Sequence, residues 1–179
     1  VTHKKVIMIS SLLVILVATL VGTWAFQPQQ KHRRASETPV VRRSYLPLST
    51  KMFYQHPKMR DSAIIYFAIK HLHIQRWQEV ADFKAGWQVE RYQKAGKWQY
   101  LVWPDQNIGD QEKQLTPNWF EISKDHRVTY HSFEVHTAAS DEDQHATVAI
   151  NRIVTQINAD RAAGTVRRMT RHLTIKVHN

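Results

Sequence analysis

Twenty-one consecutive residues without a charge, VIMISSLLVILVATLVGTWAF from Val6 to Phe26, set the strongest constraint on this chain. At ~1.5 Å of rise per residue they make a helix of roughly 32 Å, close to the hydrocarbon thickness of a bilayer. A cleaved export signal has a shorter apolar centre of about 7 to 15 residues, followed by small residues at the cut. Thr23-Trp24-Ala25 fits such a site poorly, and Trp24 stands where an interfacial aromatic anchor would. The expectation is a retained single-pass transmembrane helix over residues 1–26, with secretion after cleavage as the alternative.

Orientation follows from the flanks. Lys4 and Lys5 precede the run, whereas Lys31, Arg33, Arg34, Arg42 and Arg43 follow it. A plain count of positive charges would keep the following domain in the cytoplasm. A very short basic N-terminus feeding an apolar run is the ordinary export arrangement. On that ground the domain is expected outside the cell membrane.

Residues 27–49 read as a basic extended linker. Pro28, Pro39 and Pro47 interrupt any helix, no apolar periodicity is present, and like charges repel along the segment. Its cations would be drawn to anionic lipid headgroups or wall polymers, each contributing ~1 kcal/mol near a charged surface.

The folded part is expected over 50–179, within the size of one domain. Ile65, Phe67, Ala68, Ile69 and Leu72 predict a buried helix over 62–72, capped by Asp61 or Ser62. Trp77, Val80, Ala81 and Phe83 suit either a further helical turn or an irregular packing segment. Gly86–Tyr92 and Trp98–Trp103 flank QKAGK as two strands of a hairpin should. A second strand pair, Trp119–Ile122 and Val128–His136, brackets the turn Ser123-Lys124-Asp125-His126. Further on, Ser140 with Asp143 resembles a capping box, and Ala146, Ile150, Ile153, Val154 and Ile157 form a helical stripe. Ala162, Val166, Met169 and Leu173 suit a shorter helix, and Leu173, Ile175 and Val177 alternate as in a last strand. The resulting fold class is α+β: a chiefly antiparallel sheet of four or more strands packed by helices.

The stretches WPDQNI (103–108), PNWFEIS (117–123) and VTYHSFEVH (128–136), with the helical NRIVTQIN, resemble small anchored cell-envelope proteins of unknown function from lactic-acid bacteria. The resemblance implies an envelope location and a bacterial source. It brings no functional residues with it.

Known chemistries find little purchase. Without cysteine, disulfides, thiolate metal sites and a cysteine nucleophile are excluded. The eleven histidines do not converge by spacing: His71 and His73 diverge by about 200° on a helix, and His131 and His136 point to opposite faces of a strand. DQNIGDQEKQLT fails as a calcium loop, because Gly109 replaces the third ligand, Asp110 occupies the glycine position and Thr116 replaces the bidentate glutamate. Ser132, Glu134 and His136 share one strand face, the nearest approach to a catalytic cluster. No cofactor is implied.

Charge is the remaining lead. Of 25 Lys+Arg, 23 lie beyond the apolar run, against 15 Asp+Glu, a net of +8. Arg161, Arg167, Arg168 and Arg171 gather part of it near the C-terminal end, with Lys176 close by. Together with Lys31, Arg33, Arg34, Arg42 and Arg43 they are the candidate anion-binding residues. The expected function is a non-enzymatic, membrane-anchored envelope module docking an anionic polymer or a protein partner. The alternative is a small hydrolase acting on wall glycan or peptide. Nucleic acid ranks below these as a partner.

Overall fold

The computed structural model describes residues 45–113, 118–132 and 144–178. The expected anchor over 1–26, the linker as far as residue 44 and the capping box at 140–143 lie outside the described residues. Among the described residues no helix is long and apolar enough to cross a membrane.

Three helices open the domain: α1 (Thr50–Gln55), α2 (Pro57–His71) and α3 (Gln75–Glu79). Five strands follow: β1 (Trp87–Lys94), β2 (Lys97–Pro104), β3 (Asn118–Ile122), β4 (Arg127–His131) and β5 (His145–Ala149). Then come α4 (Ile150–Ala159), α5 (Ala163–Met169), one 3₁₀ turn and β6 (Leu173–His178). The sheet is six-stranded in the order β5-β4-β3-β2-β1-β6. Neighbours from β1 to β5 run antiparallel, and β6 adds parallel to β1. The sheet is therefore mixed but mostly antiparallel, and the domain is α+β.

Because β5 and β6 form opposite edges, the connection through α4 and α5 crosses the whole width of the sheet. This lays both helices on one face. Alternation along the strands sends Trp87, Val89, Val102, Phe120, Val128 and Tyr130 to that face, where all are buried. Burying each such side chain contributes roughly 1.5–3 kcal/mol. Tyr130 anchors the layers polarly as well, its hydroxyl donating to the Ile64 carbonyl at 3.3 Å.

Helix α2 occupies the centre. Every residue from Asp61 to Ile69 is buried, as expected of a helix covered on all sides. Its start differs from the expected cap. Pro57 at the first position begins the helix, and Asp61 lies inside it, bonded at 2.8 Å to both Arg60 Nε and Arg91 Nη2. Both guanidiniums stand over the Tyr100 ring. The charge that resembled a cap is instead a buried counter-ion joining helix to sheet.

The predicted hairpin forms, with Ala95 and Gly96 both at positive φ in a two-residue turn. The helical stripe is corrected at its front. Ala146 belongs to β5, which pairs with β4 over residues 145–149, and α4 begins only at Ile150. Thr147 and Val148 favour the strand, the Thr147 hydroxyl lies 3.1 Å from that of Thr129, and cross-strand pairing outweighs the periodicity. Leu173 likewise starts β6 rather than ending a helix.

Candidate functional site

Two assemblies of polar side chains stand out, one on each side of the sheet. The first lies on the face away from the helices, to which Gln88, Glu90 and Tyr92 of β1 project. The Glu90 carboxylate is buried and accepts three hydrogen bonds. Its Oε1 accepts from Gln88 Nε2 at 2.8 Å and Lys113 Nζ at 2.6 Å. Its Oε2 accepts from the Tyr92 hydroxyl at 2.7 Å and lies 3.5 Å from His178 Nε2. Lys113 also reaches Asp110 at 2.7 Å and stands over the Trp103 ring, so the β2–β3 connection is fastened across the sheet. Tyr92 and His178 stack with centroids 4.2 Å apart.

Electrostatics define what this cluster can do. Burial pushes the Glu90 carboxyl up, but the bonds from Lys113 and Tyr92 outweigh it and hold it below the ordinary glutamate value. Burial would lower Lys113, yet Asp110 and Glu90 raise it above the ordinary lysine value. An ionised carboxylate accepting three hydrogen bonds is suited to holding structure together. A general acid needs the opposite perturbation.

The second assembly is the outer surface of the helical layer. Neither α1, α4 nor α5 contains an Asp or Glu, and the one acid of α2 is buried. Lys51, Arg152, Arg161, Arg168 and Arg171 are exposed there. Asp160, at the end of α4, accepts from Gln156 Nε2 at 2.9 Å and lies 2.7 Å from His71 Nε2. Burial would raise its carboxyl, but the Gln156 and His71 bonds bring it below the ordinary aspartate value.

The predicted cationic residues divide accordingly. Lys31, Arg33, Arg34, Arg42 and Arg43 lie outside the described residues. Arg161 occupies the α4–α5 turn with φ 53°, Arg168 bonds only to Thr165 Oγ1 at 2.9 Å, and Arg171 follows α5 in the 3₁₀ turn. Arg167 is different. Its guanidinium donates to the carbonyls of Leu46 at 2.6 Å and Pro47 at 3.1 Å, so its role is to fasten the stretch ahead of α1. Asn158 completes that strap, accepting from Leu48 N and donating to Leu48 O, both at 2.8 Å.

Ser132 is buried and donates to the Gln144 carbonyl at 3.4 Å, while Glu134 and His136 lie outside the described residues. In the loop tested for calcium, Asp105 accepts from Asn107 N at 2.8 Å and Glu112 from Gly109 N at 2.7 Å. Among the described residues no group of three or more His, Asp or Glu could hold a metal ion. The Glu90 cluster was missed because Lys113 sits 23 residues away, although Gln88, Glu90 and Tyr92 alternate as a polar strand face. No protein-family model, curated protein or solved structure matches the chain.

Proposed function

We propose that this chain is a non-enzymatic envelope module, anchored through residues 1–26, whose helical layer docks a polyanion. The observation that carries the reading is the segregation of charge. Outer helices α1, α4 and α5 present cations, and the carboxylate beside them, Asp160 at the end of α4, is engaged by Gln156 and His71, while Glu90, Asp110 and Glu121 belong to strands and loops of the sheet. Such a predominantly cationic surface attracts polyanions in proportion to its net charge and loses that attraction in salt. The Glu90 carboxyl, held below its ordinary value by the Lys113 and Tyr92 bonds, weighs against a hydrolase centred on that cluster.

Binding of soluble polyphosphate to the full chain in phosphatidylcholine nanodiscs, at low and high salt, is the test. Arg161→Gln, Arg168→Gln and Arg171→Gln together should weaken binding, each exposed charge contributing ~1 kcal/mol. Retained affinity in this triple variant, or affinity indifferent to salt, overturns the docking reading.

A further inference from the structure

The cationic surface of the helical layer is also apolar along one line. Among the described residues the exposed large hydrophobic side chains are Tyr45, Leu46, Tyr54, Trp98 and Val177, and the first three belong to the strap or to α1. Tyr45 is 45 % exposed, Leu46 64 % and Tyr54 47 %. The strap and α1 run along α4. Leu48 is bonded to Asn158 near the end of α4, and the Tyr54 hydroxyl meets His126 Nδ1 at 2.8 Å, where the His126 carbonyl accepts from Ile150 N at the start of α4. Tyr45, Leu46 and Tyr54 therefore stand in a row about as long as that helix, ~15 Å. Lys51 lies within the row, Arg152 on α4, Arg161 beyond its end and Arg168 on α5. A shallow crevice lined by Leu48, Phe53, Met59, Ala63 and Val154 continues the apolar surface inward. Two carboxylates border this surface: Asp125, in the β3–β4 turn, is flanked by Lys124 and by Arg127 two residues on, and Asp160, next to Arg161, is engaged by Gln156 and His71.

A soluble polyanion would require only the cations. Exposed tyrosines and a leucine set among arginines match the composition of a surface that rests at the lipid–water interface. There aromatic rings lie at headgroup depth and basic side chains pair with anionic lipid. The chain also reaches the domain on this surface: the strap begins at Tyr45, and 18 residues separate it from Phe26, the end of the run expected to span the bilayer. At no more than ~3.5 Å per residue that spacer permits contact with the same membrane.

We infer that the strap–α1–α4–α5 surface lies against an anionic bilayer, with Leu46, Tyr45 and Tyr54 at the interface and Lys51, Arg152, Arg161 and Arg168 among the headgroups. The inference rests on the polyanion reading above and narrows its ligand to lipid. The absence of cysteine allows a direct test. Full chains carrying Leu46→Cys, labelled with an environment-sensitive fluorophore, are placed in nanodiscs of phosphatidylcholine or of an equimolar phosphatidylcholine–phosphatidylglycerol mixture. Val177→Cys, 56 % exposed on the edge strand, is the control position.

The Leu46 label should shift to the blue in the anionic nanodiscs alone, the Val177 label in neither. Adding Lys51→Gln, Arg161→Gln and Arg168→Gln should abolish the shift while the circular dichroism spectrum is kept. No shift at Leu46, with polyphosphate still bound by the helical layer, overturns the membrane inference and leaves the polyanion reading standing. Loss of both overturns both. Equal shifts in neutral and anionic nanodiscs, or a shift at Val177, also overturn the inference, since the contact would then be neither charge-driven nor specific to this surface.

Discussion

The guanidinium of Arg167 holds the backbone carbonyl of Leu46 at 2.6 Å, tying α5 to a segment 121 residues earlier in the chain. A hydrogen bond from a charged donor contributes about 1.5–3 kcal/mol, and a second runs to Pro47. Arg167→Ala should therefore destabilise the domain by about 2 kcal/mol and open the strap to proteolysis near Leu46. Urea melts and limited digestion check both effects. Arg168→Ala, whose donor reaches only a neighbouring threonine, should change stability by less than ~0.5 kcal/mol.

The Glu90–Lys113 pair predicts an acid-limb dependence. The Glu90 carboxyl is held below its ordinary value in the folded domain. Its stabilising contribution is thus complete above the unfolded glutamate pKa of ~4.3 and is lost as pH falls through the lower folded value. Glu90→Gln should be less stable than the parent at neutral pH, with the gap closing on acidification. Denaturant midpoints across the acid range measure this. Lys113→Met alone leaves a buried carboxylate without its cation and should be destabilising by about 3–5 kcal/mol. The double change Glu90→Leu with Lys113→Met should cost less than the sum of the single changes.

Asp61 is fully buried between Arg60 and Arg91. Asp61→Asn keeps the volume and removes the charge, leaving two guanidiniums side by side over Tyr100. A loss of about 3–5 kcal/mol is expected. Restoration of the parent melting temperature by Asp61→Asn combined with Arg91→Met would show that charge, not shape, sets the cost.

Two glycines at positive φ should respond differently to alanine. A Cβ on Gly86, at φ +79°, would lie 2.0 Å from the His172 carbonyl oxygen, so the start of β1 could not pack beside the entry to β6. Gly86→Ala should unfold the domain or cost more than ~3 kcal/mol. A Cβ on Gly96 would meet nothing within 4 Å beyond its chain neighbours, and only the backbone strain at φ +75° remains. Gly96→Ala should cost ~1 kcal/mol. Thermal melts of the two variants make the comparison.

Local chemistry made much of this architecture legible in the sequence. The hairpin around Ala95-Gly96, the strand pair around Asp125, the alternation of Leu173, Ile175 and Val177 and the apolar α2 all follow from turn residues and side-chain periodicity, which act over a few residues. The apolar composition of Val6–Phe26 is equally a property of sequence alone. What sequence could not supply were relationships between distant segments. Residues 145–149 became a strand because an edge of β4 needed backbone partners, a demand that helical spacing does not report. Asp61 resembled a cap until Arg91, thirty residues away, arrived beside it. Arg167 appeared equivalent to Arg161, Arg168 and Arg171, and only tertiary structure bound it to the strap and left the others exposed. Likewise the row of Tyr45, Leu46 and Tyr54 beside the arginines exists because Asn158 holds Leu48 along α4. Periodicity fixes which face a side chain takes within its own element; which elements meet is decided by burial and by the pairing of polar groups across the folded chain.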